Sequence, residues 1–122
     1  MAKTNLRELG QSFELIVGER LSDVQFVLDY WQLQFDGPTM NIMTPIELRS
    51  GEVIARDGGF RFREHLCDQI DKAVAAVEIS ATALELTLED RSTISISLRQ
   101  EDYHGPEAIL LLDASRRLLV AI

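Results

Sequence analysis

With 122 residues and 46% hydrophobic content, the chain is long enough to bury one core without a disulfide or metal and too short for two independent domains. Its formal net charge of −8 is shared by both halves: residues 1–61 carry six basic and nine acidic side chains, residues 62–122 six and eleven. An acidic surface without clustered lysine and arginine excludes docking on a nucleic-acid backbone or an anionic membrane.

The single cysteine, Cys67, has no partner for an internal disulfide, and the opening residues Met1 to Glu8 lack the apolar stretch of a secretory signal. No apolar run reaches the length of a membrane span. A cytoplasmic location is therefore expected.

Asn5 and Glu8 have the spacing of a capping box, and Leu6, Leu9, Phe13 and Ile16 recur on one helical stripe. Gly18 offers a left-handed stop, so the pattern predicts a helix over about 5–17. The period then becomes two. Val24, Phe26 and Leu28 alternate with Asp23, Gln25 and Val27, and Trp31, Leu33 and Phe35 with Gln32 and Gln34, which predicts strands with one buried face. Asp36-Gly37-Pro38 is a turn, after which Met40 and Ile42 resume the alternation up to Pro45. A weaker strand pair is expected at 47–55, turning at Ser50-Gly51, and residues 56–59 form a loop between halves.

Phe62, Leu66, Ile70 and Ala73 restart a helical stripe that includes Cys67, read as a buried thiol, while His65 falls on the wet side. Strands are then expected from about Val74, through Leu84 to Leu88, and from Ile94 to Leu98. Ala108 to Leu112 is apolar on both faces and reads as a central strand, with a last strand from Arg117 to Ile122.

An internal correspondence runs through these elements. Leu21, Val24, Phe26, Trp31, Leu33 and Phe35 match Val74, Val77, Ile79, Leu84, Leu86 and Leu88, each 53 residues later. With one extra residue in the second turn, Thr39, Met40 and Ile42 match Thr93, Ile94 and Ile96 at 54. The expectation is an α+β single domain, residues 1–122, of two pseudo-symmetric helix-plus-β-meander repeats, about 5–55 and 62–113. Their strands would form a twisted, mostly antiparallel sheet, curling toward a barrel, with both helices covering its apolar face and with Gln32, Gln34, Glu85, Thr87, Ser95 and Ser97 facing solvent.

No catalytic constellation emerges. There is no Gly-x-Ser-x-Gly elbow, and the glycines at 58–59 are not followed by a phosphate-binding Lys-Ser/Thr. His65 and Cys67 are two apart on a predicted helix and project to different sides, so neither a metal nor a cofactor is expected. The segment Glu101 to Glu107 breaks the internal correspondence and packs a phenol, an imidazole and carboxylates around the Gly105-Pro106 turn. Loops that break symmetry are where function concentrates. Tyr103, His104 and Glu107 are thus the candidate binding residues. Tyr30 joins them, since Trp31 is assigned to the core and Tyr30 then faces outward.

The stretch Asp29-Tyr30-Trp31-Gln32-Leu33-Gln34-Phe35-Asp36-Gly37, together with the late Gly105-Pro106-Glu107, resembles small bacterial proteins of unknown function built on a duplicated helix-plus-strands unit. The resemblance spans roughly residues 15–115 and implies no activity. By charge and size alone, the chain is also similar to small acidic immunity factors that bind a basic toxin. The expected function is a non-catalytic interaction module whose partner is a basic protein or a second copy of itself. The alternative is an enzyme or small-ligand binder with a pocket near residues 101–107.

Overall fold

The computed structural model of the protein describes residues 6–122. Helix α1 (Leu6–Phe13) runs into a 3-10 turn, Glu14–Ile16, and the strands β1 (Leu21–Val27), β2 (Tyr30–Phe35) and β3 (Thr39–Ile42) follow as a meander. The hairpin β4 (Ile46–Ser50) and β5 (Val53–Arg56) leads to helix α2 (Phe62–Cys67). A second meander, β6 (Val74–Ile79), β7 (Ala83–Leu88) and β8 (Thr93–Ser97), precedes a second hairpin, β9 (Ile109–Leu112) and β10 (Leu118–Ala121).

These strands make two five-stranded antiparallel sheets, ordered β1-β2-β3-β9-β10 and β5-β4-β8-β7-β6. Each hairpin therefore leaves its own meander and pairs with the other one. Thr44-Pro45 permits the first crossing: proline cannot continue the ladder, and the buried Thr44 hydroxyl donates to the Ser97 carbonyl at 2.6 Å. The alternation read from sequence fixes which side chains turn inward. Val24 pairs Leu33, which pairs Met40, which pairs Leu111; in the other sheet Val77 pairs Leu86, Leu86 pairs Ile94 and Ile94 pairs Leu48. The buried residues of both sheets belong to a single apolar cluster, so the two inner faces pack on one another.

A single sheet curling toward a barrel, covered by two helices, is thus not the arrangement found. Alternation defines a strand's buried face but is silent on which strands lie beside it. The helices have a different task as well. α1 packs against β6 and β10, and α2 against β1 and β5, the edge strands of the two sheets. They close the two open sides of the sandwich, where exposed strand edges would otherwise invite pairing.

Where the sheets meet, Arg20 and Ala73 form an isolated antiparallel bridge. Around it, Gly18 N–H donates to Val74 O at 2.8 Å and Asp71 N–H to Leu21 O at 2.7 Å, while Leu21 N–H donates to Lys72 O at 3.0 Å and Val74 N–H to Glu19 O at 2.9 Å. Both turns entering the bridge are left-handed, at Gly18 (φ +89°) and Asp71 (φ +80°). Glycine adopts this conformation freely; Asp71 does so at a cost.

Three expectations fail locally. The second helix ends at Cys67, so the stripe cannot be extended through Ile70: Ile70 is exposed and Gln69 is only 1% exposed. Gln69 is satisfied there, donating to His65 O at 3.0 Å and accepting from Lys72 Nζ at 2.7 Å. Cys67 is exposed, not buried. Gln32, expected in solvent, is buried mid-sheet, where its amide donates to Asn41 Oδ1 at 2.9 Å. The capping residue Asn5 lies outside the described residues. Among those described, no helix is long and apolar enough to cross a membrane.

Candidate functional site

The two halves differ most in the link between meander and hairpin. Residues 43–45 join β3 to β4, whereas residues 98–108 join β8 to β9. Local hydrogen bonds stiffen the longer link. Ser97 Oγ donates to Asp102 Oδ2 at 2.5 Å, Asp102 N–H to Arg99 O at 3.0 Å, and Tyr103 N–H to Gln100 O at 3.2 Å, winding a 3-10 turn over Gln100–Asp102.

This loop walls three separate depressions. Arg99 and Asp102 line a polar cleft of about 380 Å³ on the outer face of the second sheet, together with Glu47, Arg56 and Asp57. Tyr103 lies in an apolar recess of about 260 Å³ beside Leu9, Leu98 and Ile122. His104 to Glu107 line the largest, a groove of about 600 Å³ whose other wall is Phe26, Leu28, Asp29 and Met43.

Two residues join the groove and the polar cleft into a band. Phe26 lines both the groove and an adjoining aromatic hollow of about 330 Å³, and Asp57 lines both that hollow and the polar cleft. Within the hollow, Phe26 and Trp31 lie 4.8 Å apart between centroids with their planes tilted by 44°, Trp31 meets Phe62 edge-on at 5.4 Å, and the Arg63 guanidinium lies 4.9 Å from the Phe26 centroid. The Trp31 indole N–H reaches Asp57 Oδ2 at 3.2 Å. Trp31 is buried, as expected of it, yet Phe26, placed on the same buried face by the alternation, is half exposed.

Leu28 departs furthest from the sequence reading. It occupies the turn between β1 and β2 with φ +52°, and its side chain is 88% exposed. Phe60, between the hollow-lining Gly59 and Arg61, is 90% exposed. Its loop is held tight: Gly59 N–H donates to Arg56 O at 2.7 Å, and a Cβ on Gly59 would lie 2.8 Å from that same oxygen.

Some of the charges around the band are paired. Glu47 holds Arg56 at 2.8 Å and Arg49 at 3.1 Å, and these two hydrogen bonds, Arg56 first, pull its carboxyl below the ordinary range. Arg61 pairs with Glu64 at 2.5 Å. Asp29 and Glu107, both in the groove, have neither an ion pair nor a side-chain hydrogen bond among the described residues.

The structure brings His104 and Glu107 into one groove but turns Tyr103 away from it, into the apolar recess, where burial raises its phenol above the usual value. Tyr30 is half-buried opposite Val27 and does not line the groove, although its neighbour Asp29 does. Sequence reasoning missed Phe26, Leu28, Asp29 and Met43. The available signal was Leu28 itself: a leucine where a tight hairpin must turn. No histidine adjoins the Ser97–Asp102 pair in the polar cleft, and that pair serves to pin the loop. Among the described residues no group of three or more His, Cys, Asp or Glu could hold a metal ion. Comparison with protein-family models, curated proteins and solved structures yields no match to this chain.

Proposed function

We propose that the chain is a non-catalytic interaction module, two copies of one unit in tandem, that docks a protein partner on the face around Leu28. The tandem reading is supported by strand registers that recur 53 residues apart, Phe26↔Trp31 with Ile79↔Leu84 and Val24↔Leu33 with Val77↔Leu86, and by matching irregularities after Leu21 and Val74. The docking reading rests on one observation, the conformation and exposure of Leu28. A left-handed leucine costs about 1–2 kcal/mol, and an exposed side chain recovers nothing by burial. Of the five non-glycine residues with positive φ among the described residues, Leu28 is the one apolar side chain. Its counterpart 53 residues later is Ala81. Strain kept at an exposed site indicates a task other than folding, and Phe26, Leu28 and Phe60 together supply apolar surface of the kind that marks interfaces.

Leu28→Gly tests this directly, because glycine keeps the turn and removes the anchor. The variant is expected to be more stable by about 1 kcal/mol while losing association. Sedimentation velocity reads self-association; for a different partner, wild-type and Leu28→Gly proteins serve as paired baits, and any protein held only by the wild type is purified and titrated against both. Identical behaviour of the two in both assays would defeat the proposal.

A further inference from the structure

Resting on that docking face, we infer that the 600 Å³ groove receives a basic segment of the partner, anchored by a lysine or arginine side chain. The groove is apolar along its walls and anionic at two points. Phe26, Leu28, Met43 and Pro106 offer the surface that the methylene stem of a long cationic side chain covers. Asp29 and Glu107 stand on opposite walls, one on the β1–β2 turn and one on the 98–108 loop.

Among the described residues Glu47, Glu64, Asp71, Glu89, Asp90 and Asp113 pair with an arginine or lysine within 4 Å. The carboxylates of the groove do not, so neither charge is already neutralised by a cation of this chain. An apolar or anionic occupant would strip water from Asp29 and Glu107 and return nothing, a penalty that grows as the groove closes. A guanidinium or ammonium repays that loss with charge-assisted hydrogen bonds. Arg63 lies 4.9 Å from the Phe26 centroid, so that ring is already engaged by a cation and offers the incoming stem apolar contact only. At longer range, a net charge of −8 draws a basic chain in and repels a second copy of this one. His104, the groove's remaining ionisable group, lines it together with the two carboxylates and opposes a cation only when protonated.

The probe is N-acetyl-arginine methylamide, titrated into the isotopically labelled full-length protein and followed by amide chemical shifts. Its neutral citrulline analogue is the control. Localised shifts at Leu28, Asp29, Met43, Gly105 and Glu107, with a Kd of roughly 1–10 mM, are expected for arginine and not for citrulline. Asp29→Asn with Glu107→Gln should weaken binding about tenfold, each alone about threefold, and added salt should weaken it further. Both side chains lack structural partners, and an unchanged Trp31 fluorescence unfolding curve verifies that the variants fold. The inference is overturned if arginine produces no localised shifts, if citrulline reproduces them, or if they gather around Glu47 and Asp102 instead. The two readings separate cleanly. Failure of arginine to bind, with association still lost in Leu28→Gly, removes the basic segment and leaves the docking face. Arginine binding, with association intact in Leu28→Gly, does the opposite.

Discussion

Leu33 and Leu86 lie 53 residues apart, each on the middle strand of a meander and each fully buried at 0% exposure. Truncating either to alanine removes roughly three methylene equivalents, about 2.4 kcal/mol of transfer free energy at ~0.8 each. The cavity that remains raises the expected loss to about 3–4 kcal/mol. Their surroundings correspond: Leu33 pairs with Val24 and Met40, Leu86 with Val77 and Ile94. The two losses should therefore agree within about 1 kcal/mol. Urea unfolding followed by Trp31, the one tryptophan, measures both, since that indole is buried against Phe26 and Phe62 and reports loss of the core. With a slope of about 2 kcal/mol per molar urea, each midpoint should fall by roughly 1.5–2 M. Glu85→Ala, on the outward face, should shift it by less than about 0.5 kcal/mol in stability. A cost above about 3 kcal/mol at one leucine and below about 1 at the other would refute equivalent packing of the two halves.

Asp90 accepts from Lys72 Nζ at 2.6 Å, which lowers its pKa to about 2, so its contribution to stability is present above the ordinary value of 3.8 and disappears as pH falls through 2. Because the carboxylate is 43% exposed, solvent screens the pair, and Asp90→Asn should cost about 1 kcal/mol at neutral pH and nothing below pH 2 in thermal melts. Partial burial raises the Tyr103 phenol above its ordinary value of 10, so stability should hold up to that pH and fall as pH rises through the raised value; Tyr103→Phe should reduce that alkaline fall in thermal melts. Fragments 1–58 and 59–122, each lacking the hairpin that completes its meander's sheet, should be unfolded separately by circular dichroism and regain strand signal on mixing. A folded fragment 1–58 on its own would contradict the exchange of hairpins.

The strands of the two meanders were legible because a period of two survives over four or more residues in most of them, and because Asp36-Gly37-Pro38 and Ser50-Gly51 punctuate the first half. Their partners were not. Nothing in the pattern of Ile46 to Ser50 distinguishes pairing with β8 from pairing with β3, since either would bury Ile46 and Leu48. The second helical stripe misled through length: a helix of one and a half turns was extrapolated to Ile70, while the chain had already tightened toward left-handed Asp71. Of the candidate site, the symmetry-breaking loop could be found because the internal correspondence stops there, and that loop does wall the groove. The opposite wall stayed hidden because Phe26 and Leu28 read as ordinary inward positions. The polar cleft was beyond reach, being assembled from residues 45–57, 82–83 and 95–102.

The exchanged hairpins also set the order in which a newly made chain can settle. Strand β3 receives one neighbour at once, from β2, but its other edge waits for residues 109–112, made only after the whole second meander. A growing polypeptide that stops short of that point holds β3 with a row of unsatisfied amides and the apolar side chains of Met40 and Ile42 uncovered. The first meander therefore cannot mature ahead of the second, and its completion waits on β9 and β10. Loss of that short hairpin would leave an adhesive half-sheet rather than a slightly smaller protein.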